Sequence, residues 1–216
     1  MLNVLLDLDG TLTDPAQGIT ACIAYAMREL GVACPHQDVL RQFIGPPLQN
    51  TFAELLGSGQ RVDDAVRLYR ERFSETGMYE NAVYPGMSEA LGRLSASGAQ
   101  LFLATSKPRV FAARILEHFG LSSHFVSVHG SELDGMRADK AELIEYIIRC
   151  ESLTAGNTVM IGDRKQDVEG AKSNSVLPVG VLWGYGSRQE LTAAGAEVIL
   201  EQPAELSWER LADVLK

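Results

Sequence analysis

Six short apolar segments recur along the chain, and helical patterns separate the later ones. They cover residues 2–8, 101–104, 125–128, 159–161, 179–182 and, more weakly, 198–200. Their apolarity is continuous rather than alternating, which is typical of strands that are buried on both faces of a parallel sheet. Parallel strands need helical crossovers between them. The sequence therefore predicts an α/β fold with a doubly wound parallel sheet.

The stretch between the first two apolar segments is too long for one crossover, and its pattern is helical throughout. Apolar side chains at positions 19, 22, 23, 26, 27 and 30 share one helix face, and the pattern stops at Gly31. Further helices are expected at 38–43, 48–56 and 62–73. We predict an α-helical subdomain at 15–81, inserted into an α/β core formed by 1–14 and 82–216. Its connections lie at the carboxyl edge of the sheet, where ligand sites form.

Charge and composition exclude several classes of partner. The chain has 19 Lys+Arg and 28 Asp+Glu, a net charge of −9, so nucleic acid and anionic membranes are not expected partners. No apolar run approaches the ~18–20 residues of a membrane span, and the N-terminus lacks a signal-peptide pattern. Three cysteines without short metal-type spacing indicate neither a disulfide scaffold nor a zinc site. We expect a cytoplasmic protein, and the oligomeric state stays open.

Two acidic residues close the first apolar segment. In Asp7-Leu8-Asp9-Gly10-Thr11, the turn at the strand end allows both Asp7 and Asp9 to point into one crevice. Gly10 permits the backbone to leave sharply. An Asp-Gly pair is also common in turns that merely end a strand, and for this pair alone the two interpretations are about equally good.

A second acidic pair follows the fourth apolar segment. Asp163 comes at the strand end, and Asp167, four residues later, belongs to the first turn of the next helix, facing the same crevice. Taken alone, Asp167 is more simply explained as a charge that stabilises a helix N-terminus. Asp163 has no such simple explanation, because it follows a strand that should be central.

Hydroxyl and cationic side chains lie between the two acidic pairs. Thr105 and Ser106 follow the second apolar segment, where hydroxyls near a helix start can bind phosphate oxygens, although a helix N-cap is the alternative. Asp139 with Glu142 resembles a capping box, which places Lys140 at the positive end of a helix. For Lys140 alone, a solvated surface lysine is the simpler interpretation.

The order Asp-x-Asp, Thr/Ser, Lys, Gly-Asp-x-x-x-Asp resembles the haloacid dehalogenase-like (HAD) hydrolase superfamily. The closest resemblance is to its phosphoglycolate phosphatase-like branch, which has a helical C1-type cap. Its most specific part is Asp-Leu-Asp-Gly-Thr-Leu-Thr-Asp at 7–14, with Gly-Asp-Arg-Lys-Gln-Asp at 162–167 at the expected distance. The resemblance covers nearly the whole chain. It implies a HAD Rossmann-like catalytic core and a cap over its mouth.

The resemblance also implies catalytic roles. Asp7 would be the nucleophile that forms an aspartyl-phosphate, and Asp9 would be the general acid for the leaving group and then the general base for water. Thr105 would bind a phosphoryl oxygen, with Gly10 and Ser106 nearby. Lys140 would neutralise the nucleophile and the phosphate, which makes it both a catalytic and a phosphate-binding residue.

A magnesium site is implied as well. Asp163 would bind Mg²⁺ together with the Asp7 carboxylate and the Asp9 backbone carbonyl, and Asp167 would act directly or through water. Mg²⁺ prefers such hard oxygen ligands. In the cap, the apolar turn Gly45-Pro46-Pro47 resembles a substrate-facing loop, although a plain helix connection explains it equally well.

Arg41 precedes the turn at residues 45–47 and would reach a substrate carboxylate or second phosphate, although a surface arginine is the simpler interpretation.

We expect a Mg²⁺-dependent phosphatase for a small phosphorylated metabolite, such as phosphoglycolate or a nucleoside 5′-monophosphate. A sugar phosphomutase of the same superfamily is the enzymatic alternative. A phospho-receiver or other regulatory protein is the alternative from another class, although the third apolar segment leads into His129-Gly130-Ser131 and lacks a receiver's aspartate.

Overall fold

Two compact units make up the chain in this computed structural model, which describes residues 2–57 and 61–213. The larger unit comprises Met1–Thr13 and Val83–Lys216, and the smaller unit comprises Asp14–Ala82. Two short strands, β2 (Thr13–Asp14) and β3 (Ala82–Val83), pair with each other where the chain passes from one unit to the other. The smaller unit is therefore an insertion that follows the first strand of the larger one.

A six-stranded parallel sheet forms the centre of the larger unit. The strands are β1 (Asn3–Leu6), β4 (Gln100–Pro108), β5 (Ser127–Ser131), β6 (Thr158–Gly162), β7 (Leu177–Val181) and β8 (Val198–Leu200). Their order in the sheet is β5-β4-β1-β6-β7-β8, and each pair of neighbours is parallel. Each predicted apolar segment contains or overlaps one of these strands. The prediction of a doubly wound parallel α/β sheet is confirmed.

In the part of the smaller unit that the structure describes, four helices make up most of the chain. They are α1 (Ala16–Glu29), α2 (Gln37–Leu40), α3 (Leu48–Leu56) and α4 (Val62–Glu75), with 3₁₀ turns at Arg41–Phe43 and Gly77–Tyr79. The apolar face predicted for α1 is buried from Ile19 to Met27. Near the end of α4, Arg72 pairs with Glu80 through two hydrogen bonds of 2.7 and 2.9 Å, a bidentate geometry that fixes this end of the unit.

The described part of the larger unit has six further helices. They are α5 (Met87–Ala96), α6 (Arg109–His118), α7 (Lys140–Cys150), α8 (Lys165–Ser173), α9 (Arg188–Ala194) and α10 (Trp208–Asp213). Within the described ranges, no helix combines the length and the apolarity that crossing a bilayer requires.

The core beneath the central strands fixes the position of α7. Leu5 of β1 lies between Phe102 of β4 and Met160 of β6 in the parallel register. These side chains are buried together with Ile144 and its neighbours on the inner face of α7. Because buried apolar area supplies most of the folding free energy, this cluster holds the N-terminus of α7 against the carboxyl ends of the strands.

Truncation of this core should destabilise the fold without changing the chemistry. Ile144→Ala removes a fully buried side chain and should lower the free energy of unfolding by about 2–5 kcal/mol, measured by urea denaturation. Ile148→Ala, one turn later and only partly buried, is the matched control and should lose clearly less. An Ile144→Ala loss no larger than that of the control would contradict this account of the core.

Candidate active site

The predicted site residues of the larger unit lie at the carboxyl ends of the three central strands. Asp7 directly follows β1, and its N–H donates to Ile161 O of β6 at 3.0 Å. Thr105 belongs to β4, and Asp163 directly follows β6. Six of the predicted polar side chains are buried: Asp7, Asp9, Thr105, Lys140, Asp163 and Asp167.

A tight turn carries Asp9 out of β1. Leu8 O accepts hydrogen bonds from the N–H groups of Leu12 (2.9 Å) and Thr13 (3.0 Å), so the chain folds back directly after the strand. Gly10 has a φ of +86°, and a Cβ there would collide with the carboxylate of Asp163. Glycine is required at this position by both its conformation and its close approach to the second acidic pair.

Lys140 enters the site from the first turn of α7. Asp139 caps this helix, because its Oδ1 accepts hydrogen bonds from the N–H groups of Ala141 (2.9 Å) and Glu142 (3.1 Å). The helix therefore begins at Lys140, whose side chain turns inward and is only 5% exposed. The interpretation of Lys140 as a solvated surface lysine is wrong.

The Lys140 ammonium group has three partners. Nζ lies 2.9 Å from Asp7 Oδ1, 2.7 Å from Asp167 Oδ1 and 2.9 Å from Ala104 O. The contacts with Asp7 Oδ1 and Ala104 O are hydrogen bonds, and the contact with Asp167 is an ion pair. One cation thereby connects the end of β1, the end of β4 and the start of α8.

Asp167 lies at the N-terminus of α8 and also faces the other site residues. Its Oδ2 accepts a hydrogen bond from the N–H of Arg164 at 3.1 Å, which caps α8, while its Oδ1 pairs with Lys140. Asp163, in contrast, has no role at a helix end. Its Oδ1 accepts from the Thr11 hydroxyl (3.3 Å) and its Oδ2 accepts from the N–H of Tyr185 (2.8 Å).

Lys107 is a site residue that the sequence analysis missed. Its Nζ lies 2.5 Å from Asp9 Oδ2, and both side chains are almost completely buried. Asp9 Oδ1 is buried and accepts no hydrogen bond from the residues that the structure describes. The available signal was the spacing, because Lys107 comes two residues after Thr105 and alternate residues of a strand share a face.

The interpretation of Thr105 or Ser106 as a helix N-cap is wrong, because β4 continues to Pro108 and α6 begins only at Arg109. The Thr105 hydroxyl oxygen instead accepts a hydrogen bond from the N–H of Lys107 at 3.2 Å. Ser106 O accepts one from the Ser131 hydroxyl at 2.8 Å.

Two predicted site features belong to the smaller unit. Arg41 begins the 3₁₀ turn Arg41–Phe43 and is exposed, and the turn at residues 45–47 leads into α3.

Burial of several carboxylates near one another shifts their protonation. Burial raises the pKa of Asp163 to about 8, and the negative charges of Asp167 and Asp7 add to this effect. Burial also raises the pKa of Asp167, to about 6, against the opposing charge of Lys140. For Lys140, burial alone would lower the pKa, but Asp167 and Asp7 outweigh it and raise the pKa above its usual value.

The Asp9 carboxyl is controlled by two opposing effects. Burial raises its pKa above the ordinary value, and the ammonium group of Lys107 opposes that rise. The net result is an Asp9 that holds a proton more readily than an aspartate in water. A carboxyl that holds its proton more readily is suited to act as a general acid.

The donor set fits a hard divalent cation. Asp7, Asp163 and Asp167 each offer one carboxylate oxygen, and these three atoms lie within 4.8 Å of one another. Oxygen ligands of this kind suit Mg²⁺ better than they suit softer metals. Burial, and then the charges of Asp167 and Asp7, disfavour the charged form of Asp163, which a bound cation would favour.

Comparison with known proteins supports the hydrolase superfamily that the sequence motifs resemble. Residues 4–181 match the family model for haloacid dehalogenase-like hydrolases. A 5′-nucleotidase of Pseudomonas aeruginosa is 48% identical over 192 residues, which are 88% of this chain and 87% of that protein. The tyrosine-protein kinase PtkA of Mycobacterium tuberculosis is 34% identical over 91% of this chain and 67% of its own length. A phosphoglycolate phosphatase of Photobacterium profundum is 25% identical over 99% of this chain and 95% of its own.

A solved structure agrees with the sequence relatives. The crystal structure of a predicted phosphatase from Clostridium acetobutylicum superposes with a TM-score of 0.93 and 40% identity, covering 98% of both chains. The chain belongs to the haloacid dehalogenase-like hydrolase family, as the sequence motifs indicated. Within that family it is a phosphatase, that is, a phosphoric monoester hydrolase.

The raised pKa of Asp163 predicts how stability depends on pH when no divalent cation is bound. Between about pH 4 and about pH 8 the folded state keeps a proton on Asp163 that the unfolded chain releases, so the free energy of unfolding falls as pH rises. Asp163→Asn removes this effect. At pH 8 with a chelator, the free energy of unfolding of the variant should exceed that of the wild type. The difference should be more than the ~1.4 kcal/mol that one pKa unit represents.

The measurement is urea denaturation at pH 5, 6.5 and 8, with exposed Glu145→Gln of α7 as the control. The advantage of Asp163→Asn should grow with pH. If the variant were equally or less stable than the wild type at pH 8, Asp163 would not carry the unbalanced charge.

Proposed function

We propose that this phosphatase hydrolyses nucleoside 5′-monophosphates with Mg²⁺, through an aspartyl-phosphate on Asp7. The observation that carries the proposal is the buried ion pair between Asp7 Oδ1 and Lys140 Nζ at the end of β1. The substrate class is supported by the 5′-nucleotidase relative, which is 48% identical, whereas the phosphoglycolate phosphatase relative is 25% identical. A small phosphorylated metabolite is accordingly the partner that we expect, in the cytoplasm.

Asp7 attacks phosphorus in the first step. Its carboxylate forms a bond to phosphorus while the bond to the ester oxygen breaks, which gives the aspartyl-phosphate. Lys140 orients the attacking carboxylate through Oδ1 and supplies a positive charge next to the phosphoryl oxygens. We assign Thr105 and Ser106 of β4, and Gly10 of the turn after β1, to binding phosphoryl oxygens.

Asp9 moves the protons in both steps. Its proton goes to the leaving ester oxygen, and in the second step the resulting carboxylate takes a proton from the water that attacks phosphorus. That attack restores the free Asp7 carboxylate. Lys107 holds Asp9 through Oδ2 and leaves Oδ1 available for the transfer, which agrees with the absence of a hydrogen-bond partner for Oδ1 among the described residues.

Magnesium completes the charge balance. Asp7, Asp163, Asp167 and the Asp9 carbonyl would hold the ion, and when bound it would neutralise the negative charge that the acids and the phosphate bring together.

The unit Asp14–Ala82 is proposed to be the helical cap, on the basis of its helices and its insertion after β1. Arg41 and the turn at residues 45–47 are its proposed substrate-facing positions.

A screen for phosphate release tests this function. Nucleoside 5′-monophosphates should release phosphate faster than phosphoglycolate, excess EDTA should stop the reaction and Mg²⁺ should restore it. Asp7→Asn should lower the rate by more than about 10³-fold, because it removes the nucleophile with little change in volume. Asp64→Asn, exposed on α4, is the matched control and should keep the wild-type rate.

Two results would contradict the proposal. A rate that persists in excess EDTA would rule out the metal, and near-wild-type turnover by Asp7→Asn would rule out the covalent step. The phosphomutase alternative predicts isomerisation of a sugar phosphate primed by a bisphosphate, with little free phosphate. The same assays, with sugar phosphates included and the products resolved, distinguish it.

A further inference from the structure

The segment after β7 contacts the site but has no role in the reaction described above. It comprises residues 182–187, between β7 and α9, and is named the Trp183 loop here. The N–H of Leu182 donates to Leu200 O at 3.0 Å, so the loop leaves the sheet from an anchored point. At its other end, Ser187 caps α9 by accepting a hydrogen bond from the N–H of Glu190 at 3.1 Å.

The α9 end of the loop is also joined to the start of α8. Glu190 Oε1 accepts hydrogen bonds from Arg164 Nε and from the N–H of Lys165, both at 3.0 Å. Arg164 directly follows Asp163 in the chain. The Trp183 loop is therefore tied to the segment that carries the second acidic pair.

Within the loop, the indole of Trp183 holds the turn that carries Asp9. Trp183 Nε1 donates a hydrogen bond to Thr11 O at 2.9 Å. An indole has a single donor, so this bond uses its whole hydrogen-bonding capacity. Thr11 is fully buried, two residues after Asp9, and its own hydroxyl donates to Asp163 Oδ1.

The same loop binds the other acidic pair directly. The N–H of Tyr185 donates to Asp163 Oδ2 at 2.8 Å, two residues after the indole that binds Thr11 O. One short segment thus contacts both the turn after β1 and the carboxylate after β6. These contacts connect the two parts of the chain that would share one metal ion, in addition to the pairing of β1 with β6.

Glycines allow this close approach. A Cβ at Gly184 would collide with Gly10 O and with the Asp163 side chain, and a Cβ at Gly186 would collide with Asp163 O. Both positions pack against the metal-site residues themselves rather than against general core. Close approach of backbone to a functional group is a common reason for glycine in a loop.

We infer that the Trp183 loop is a positioning element of the active site and that Trp183 is a positioning residue for the metal ligands. The inference rests on the proposed function, because Asp163 takes part in the reaction only as a ligand of Mg²⁺. Without the indole N–H, the turn is held to Asp163 by the longer 3.3 Å bond from the Thr11 hydroxyl. The ligands are then less well preorganised, and Mg²⁺ binds more weakly.

The chain has two tryptophans, so exchanging each for phenylalanine gives a matched pair of variants. Trp183→Phe should raise the Mg²⁺ concentration for half-maximal activity about 3- to 10-fold, the effect of one lost hydrogen bond. At saturating Mg²⁺, the KM of this variant for the nucleotide should differ from that of the wild type by less than about twofold. Trp208→Phe, in α10 with a 41% exposed side chain, should behave as the wild type in both respects.

Fluorescence gives a readout that does not depend on activity. In Trp208→Phe the emission comes from Trp183 alone, and it should change saturably with Mg²⁺ at the concentrations that activate the enzyme. In Trp183→Phe the emission comes from Trp208 and should not respond. Melting temperatures in a chelator check that both variants are folded.

A second pair of variants tests the role of the loop without changing either tryptophan. Gly184→Ala should weaken activation by Mg²⁺ at least as much as Trp183→Phe, because its Cβ pushes the loop away from Gly10 and Asp163. Gly156→Ala is the control, since a Cβ there would enter open space. Activation by Mg²⁺ in this control should match the wild type.

The outcomes separate this inference from the proposed function. If the wild type required Mg²⁺ but the folded Trp183→Phe and Gly184→Ala variants had wild-type half-saturation, the inference alone would be overturned. A Trp183 emission that did not respond to Mg²⁺ would also overturn the inference alone. A wild type whose rate did not depend on Mg²⁺ would overturn both.

Discussion

The site depends on the contacts that the buried ammonium group of Lys140 makes with its neighbours. The ammonium group connects Asp7 after β1, Asp167 in α8 and Ala104 O in β4, at 2.7–2.9 Å. The cap by Asp139 and the apolar face of α7 place it there. A buried charge that loses its partner is strongly destabilising, so the ends of these elements cannot move independently of Lys140. The geometry of Asp7, the proposed nucleophile, is therefore set by the packing of the core.

The negative charge of the site exceeds what its two lysines balance. Lys140 and Lys107 each pair with acids, yet the pKa of Asp163 is raised to about 8 by burial and by the charges around it. This arrangement lowers the stability of the metal-free protein near neutral pH and leaves a place for a cation. Such a site is explained by function rather than by folding, since a stable fold alone would not retain the charge.

Much of the fold could be predicted because its signals are local. Continuous apolarity identified the strands, and the 3.6-residue period identified the buried face of α1. Spacing and strand ends also brought the acidic pairs to one edge of the sheet. Lys107 was missed because the apolar run ends at Ala104, whereas β4 continues to Pro108. Lys107 therefore belongs to the same strand as Thr105, and its ammonium group pairs with Asp9. The bond from Trp183 to Thr11 joins residues 172 positions apart, and no local pattern encodes it.

The most direct test of the central claim, a covalent phosphoryl group on Asp7, uses Asp9→Asn. With p-nitrophenyl phosphate the leaving oxygen hardly needs a proton, so the first step should proceed, whereas the second step lacks its base. At enzyme concentrations that reveal one turnover, the variant should give a burst of p-nitrophenol followed by a slow phase. Acid-quenched protein should then carry one phosphoryl group on the peptide that contains Asp7. A linear trace without a trapped phosphoenzyme, or a phosphoryl group on another residue, would contradict the account.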